Sequence, residues 1–202
     1  MSIRIPASGL AILALSIFAS LPALAQNPVP QLFPQSQGQL CFVRQYDAAH
    51  LKKLPGQKVT RILASVVKEK PSSEGVWLRM RLQLRGENRP VDVAAGCSWD
   101  ERANVDTAGK RVFSTYRKNE GFVCIATFTR ESAEEAGPVL FDIPADGKAL
   151  LLHLDDEIGL WVETNPDKKR KRLKLGKDDR VFRLDRTGDS ECSALIDQVR
   201  ID

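Results

Sequence analysis

Four kinds of side chain in this 202-residue sequence could do chemistry: four cysteines, two histidines, two clusters of carboxylates and one run of bases. Cys41, Cys97, Cys124 and Cys192 come first, because sulfur bridges, binds metals or reacts. No two of them have Cys-x-x-Cys spacing, which argues against a thioredoxin-like dithiol. Zinc would need all its thiolates kept reduced. The expected role is therefore two bridges, and four cysteines admit three pairings. The favoured set is Cys97–Cys124 with Cys41–Cys192. The first would join the loop before Trp99 to a nearby strand. The second would tie the start of the fold to its end so that the closing segment cannot fray.

The histidines are His50 and His153. His153 stands between Leu152 and Leu154 in an apolar strand, on the face opposite theirs, and reads as a hydrogen-bonded structural residue. His50 falls on a short helix expected to be exposed. Nucleophilic hydrolysis needs a serine or cysteine presented on a strained turn. There is no Gly-x-Ser-x-Gly, and Ser98 in Ala95-Gly96-Cys97-Ser98-Trp99 has neither that spacing nor a papain-like one. Carboxylates gather at Asp155-Asp156-Glu157 and Asp178-Asp179. A glycosidase needs two acids facing each other across a sugar. Neighbouring acids in turns are expected simply to be solvated. Asp142 to His153 lacks the spacing and terminal glutamate of an EF-hand loop. No metal site and no cofactor site is expected.

The basic run is the most distinctive feature after the cysteines. Lys168, Lys169, Arg170, Lys171, Arg172, Lys174 and Lys177 lie within ten positions that hold no acid. The other 23 bases face 26 acids, so the formal charge of +4 comes from one strip on a mildly acidic body. Leu173 and Leu175 alternate with Arg172 and Lys174, which predicts an edge strand with leucines inward and cations outward. Such a strip can contact an anionic envelope polymer, an acidic protein or lipid phosphates. Nucleic acid is not expected as a partner. Equally, charges on an edge strand guard it against aggregation.

The first 25 residues set the compartment. Arg4, the apolar run Leu10–Phe18 and Ala23-Leu24-Ala25 form a secretory leader, expected to be cut before Gln26. The uninterrupted apolar core is shorter than the roughly 20 residues of a bilayer span. Export to a periplasm or beyond makes the cysteines disulfides rather than reactive thiols.

The elements that must position these groups are mostly strands. Gln26–Gln39, with three prolines and five glutamines, reads as a flexible tether, and residues 40–202 as one domain. Tyr46–Leu54 suggests a short helix capped by Asp47. In Val76–Arg85, Leu78, Met80, Leu82 and Leu84 alternate with Arg79, Arg81, Gln83 and Arg85. Period two puts the apolar set on one face and a wet, basic set on the other. Further strands are expected at Val59–Lys68, Pro90–Ala95, Gly121–Thr129, Val139–Ile143, Lys148–Leu154, Ile158–Glu163, Arg172–Leu175 and Arg180–Asp185, with a helical turn in Ser190–Val199. Pro144-Ala145-Asp146-Gly147 is a hairpin turn. Many short strands and few helices predict an antiparallel sandwich or small barrel.

Tyr46-Asp47-Ala48-Ala49-His50-Leu51, then Pro55, Gln57 and Val59, and Asp178-Asp179-Arg180-Val181-Phe182-Arg183-Leu184-Asp185-Arg186 before Cys192 resemble small exported proteins of proteobacteria. The likeness lies in the two ends of the chain. It implies a periplasmic location and a shared framework for Cys41 and Cys192, and no activity. The expectation is thus a non-enzymatic periplasmic binding or scaffold protein. An envelope glycan hydrolase and an inhibitor or chaperone-like partner of another exported protein are the alternatives.

Overall fold

The computed structural model describes residues 27–34, 38–68, 75–129, 135–161 and 171–196. Eight strands close into a barrel: β1 (Gly38–Gln45), β2 (Val59–Lys68), β3 (Val76–Leu84), β4 (Val91–Asp100), β5 (Gly121–Thr127), β6 (Glu135–Asp142), β7 (Ala149–Leu154) and β10 (Val181–Thr187). Every pairing is antiparallel. The ring runs β1-β10-β7-β6-β5-β4-β3-β2 and returns to β1. Two short strands, β8 (Glu157–Gly159) and β9 (Arg172–Lys174), leave the ring as a separate pair. Among the described residues, three short α-helices, α1 (Val29–Leu32), α2 (Ala48–Lys53) and α3 (Ser193–Ile196), and two 3₁₀ turns, Lys177–Asp179 and Asp189–Cys192, complete the fold.

The alternation in β3 explains why the sheet closes around an apolar interior. Leu78, Met80 and Leu82 are all fully buried inside. Their counterparts from other strands include Phe42, Ile62, Val139, Leu152 and Phe182. The Phe122 and Phe141 rings stack at 4.5 Å, and Trp99 meets Phe122 edge-on at 5.4 Å. Side chains thus fill the lumen of this small barrel. Outside, the wall carries ions such as Arg81, whose guanidinium donates to both oxygens of Asp92 at 2.7 and 3.1 Å. Apolar inside and charged outside is the reverse of a membrane-spanning barrel. Among the described residues no helix is long and apolar enough to cross a membrane.

The expected disulfides form. Cys97 and Cys124 are directly opposed across β4 and β5, with Cα atoms 4.1 Å apart. Cys97 sits within β4, not in a loop before Trp99, because that strand runs on to Asp100. Cys41 and Cys192 bridge on the outer wall, in a cluster with Leu63 and Leu195.

Several expectations need correction. Residues 27–34 are not a loose tether. Asn27 accepts the Val29 N–H at 3.0 Å, and Val29 and Phe33 are buried in the main core at the mouth where β1 begins. Two apolar side chains outweigh the proline and glutamine composition once a mouth is there to fill. Arg79 does not lie on a wet face. It is 3% exposed, beneath the closing segment at a shallow recess that Leu195 and Trp161 also line. The strand expected at Ile158–Glu163 is regular only over β8, and its residues from Val162 on lie outside the described residues. So do the leader and Lys168, Lys169 and Arg170.

Candidate functional site: a basic rim at one mouth of the barrel

The mouth opposite α1 is built by two segments more than a hundred residues apart. One is α2 with the turn after it. The Asp47 carboxylate accepts the His50 N–H at 2.7 Å and starts this helix as an N-cap. His50 is not freely exposed. Its ring stacks on Tyr46 at 4.6 Å, and its Nε2 lies 3.1 Å from Gln57 Oε1. The Gln57 amide, itself buried, donates to the Val59 carbonyl at 2.8 Å. Burial raises the Tyr46 phenol above its ordinary pKa, an effect partly offset by Arg44.

The other segment is β9 with the helical turn Lys177–Asp179. Asp179 is fully buried and accepts the backbone N–H groups of Lys58 at 2.8 Å and Val59 at 2.9 Å. This corrects the expectation that Asp178-Asp179 is a solvated pair: two backbone donors at the start of β2 need an acceptor out of water. The Lys58 ammonium donates to the Lys174 carbonyl at 2.8 Å. Arg85 closes the arrangement by donating to the Leu51 and Pro55 carbonyls. Space is tight here, for a Cβ on Gly56 would come within 2.7 Å of the Asp178 carboxylate.

This geometry sorts the cations. As expected, Leu173 and Leu175 pack inward while Arg172 and Lys174 point out. Arg172 nevertheless works within the protein. Its guanidinium donates to the Glu135 carbonyl at 3.0 Å, lies 3.7 Å from the Glu157 carboxylate and covers the Phe128 ring. Arg180 pairs with Asp156. By contrast Lys171, Lys174 and Lys177 are exposed and form no ion pair among the described residues. Lys52 and Lys53 on α2 are exposed and unpaired in the same way. The sequence strip thus gains lysines from a segment it does not adjoin. Nothing local marks Lys52, Lys53 and Lys58 as its neighbours. The buried Asp179, 120 residues along from Val59, brings them together.

His153 is where alternation places it: 4% exposed on the outer wall, with Nδ1 3.1 Å from Thr115 Oγ1. Trp161 is half-buried against β4, its backbone N–H donating to the Asp92 carbonyl at 2.7 Å. The two most buried carboxylates, Asp142 and Asp179, stand at opposite mouths. Asp142 is paired with Lys118 at 2.7 Å.

No protein-family model, curated protein or solved structure matches this chain.

Proposed function

We propose that this chain is a non-catalytic, exported binding or scaffold module that contacts an anionic component of the cell envelope through its basic rim. One observation carries the reading: lysines from α2 and β9 converge on one mouth without carboxylate partners, while the arginines beside them are engaged by the protein. Like charges so grouped repel one another unless an outside anion screens them. The filled lumen supports the same view, since it leaves the rim and outer wall to meet a partner. The two disulfides fit an oxidising compartment. A carboxylate-based hydrolase gains no support, because Asp142 and Asp179 do not face each other and both are engaged.

The test is retention on a phosphate-bearing anionic matrix. One variant replaces Lys52, Lys53, Lys171, Lys174 and Lys177 with glutamine. A second replaces Lys168, Lys169 and Arg170, and Arg172 is kept in both. Wild type should elute at higher salt than either variant, with a steep dependence on salt as in polyanion binding. Elution of all three at the same salt concentration would remove the proposal.

A further inference from the structure

The loop of residues 101–120 is long for a connection between adjacent strands, and it is folded rather than loose. Its hub is Asn104, fully buried. The Asn104 amide donates to the carbonyls of Phe113, Tyr116 and Lys118, and its carbonyl oxygen accepts the Phe113 N–H at 2.7 Å. The Tyr116 hydroxyl donates to the Glu120 carbonyl at 2.6 Å. So organised, the loop lays Phe113 and Tyr116 on the outer wall over Leu140 and against Val123.

The wall beneath is a cross-strand row. Val181 on β10, His153 on β7, Leu140 on β6 and Val123 on β5 are successive partners in the sheet register. Leu140 points outward yet is fully buried, so the loop alone keeps it from water. Val181, at the edge of the cover, is 47% exposed. Polar contacts fasten the loop to the wall: Lys118 to Asp142 on β6 at 2.7 Å and Thr115 to His153 on β7 at 3.1 Å.

We propose that the 101–120 loop is a lid over this apolar row and that His153 is its acid-sensitive latch. The His153 ring is enclosed by the Phe113 and Tyr116 rings, with centroids 6.3 and 5.0 Å away. From the lid it is faced by Phe113, Thr115 and Tyr116; burial pushes the Tyr116 phenol well above its ordinary range, so Tyr116 stays neutral. From β6 it is faced by Asp142, which Lys118 engages. From β10 its partner is Val181, with Arg183 next along. Among the described residues, Asp142 is the charge that favours an imidazolium there. Burial wins, and it holds His153 below its ordinary pKa of 6.5.

The sign follows. The closed lid prefers neutral His153. The open lid returns the ring to water, where it titrates near 6.5. The open form therefore binds more protons, and acidification below that value shifts the balance toward opening. The barrel survives, because no ring pairing passes through the loop. Cys97–Cys124 also cross-links β4 and β5 three residues inside each end of it.

Hydrogen–deuterium exchange of the whole protein tests this. After correction for intrinsic exchange, opening of 101–120 should rise by up to about tenfold between about pH 7.5 and about pH 5.5, while β2 and β3 stay unchanged. His153→Asn, which keeps an acceptor for Thr115, should make the profile flat. An NMR titration of wild type guards against misfolding of that variant, with His50→Gln assigning the two histidine signals. His153 should titrate below 6.5. A titration at or above 6.5, or the same exchange profile in wild type and a folded His153→Asn protein, would overturn the latch.

Discussion

Two apolar patches on the outer wall of this barrel are covered by different means. Over β1 and β2 lies the closing segment, where Leu195 packs with Leu63 around Cys41–Cys192. Over β5, β6 and β7 lies the 101–120 lid, held by Asn104, an ion pair and a histidine. The first cover follows β10 in the chain, and a covalent bond ties it back to β1. The second is anchored at both ends, so hydrogen bonds suffice to shape it. A bridge holds at any pH, whereas a titratable latch responds to it.

Four experiments break or sharpen this contrast. The largest effect should come from replacing Cys41 and Cys192 together with alanine. The bridge spans 151 residues, and chain entropy puts its contribution at about 5 kcal/mol, an upper figure. Urea unfolding should register most of that loss, and proteolysis should attack the closing segment first. Replacing Cys97 and Cys124 in the same way should cost less, at most about 3.5 kcal/mol for a separation of 27 residues, because β4 and β5 are already hydrogen-bonded. Unfolding should stay cooperative, while exchange in the lid spreads into its flanking strands.

Asn104→Ala should cost about 2–3 kcal/mol, since it strands buried carbonyls and one N–H. Here cleavage within 101–120 should appear while the barrel remains folded; global unfolding instead would show that the lid is not a separable unit. The smallest effect belongs to Lys118→Gln. Its exposed side chain should change stability by less than about 1 kcal/mol. Freed from Lys118, Asp142 should attract a proton on His153 more strongly, so the NMR titration of His153 should move up.

The strands were legible because their signal is local. Period two in Val76–Arg85 reads the same before and after folding, and Gly147 at φ +64° closes the turn that Pro144-Ala145-Asp146-Gly147 announces. The cysteine pairing was legible because a bridge between the two ends and a bridge between neighbouring strands agree with that order of strands. The lid was not legible, because Asn104 looks like any loop asparagine until four backbone groups gather around it. Arg79 misled because alternation assigns a side chain to a face and is silent on what lies above that face. Lys52 and Lys53 escaped notice for a related reason: charge along the chain says nothing of charge across a mouth.

The order of residues by itself determined an antiparallel β-fold with an apolar side and a charged side, two staples and one basic strip, since these depend on alternation, turn chemistry and composition. Only the closed barrel decided which outward residues meet water, which lysines share a mouth, and that an aspartate near the end of the chain caps the start of β2. Those outcomes depend on contacts between segments a hundred residues apart, and distance along a chain carries no information about distance in space until the ring is shut.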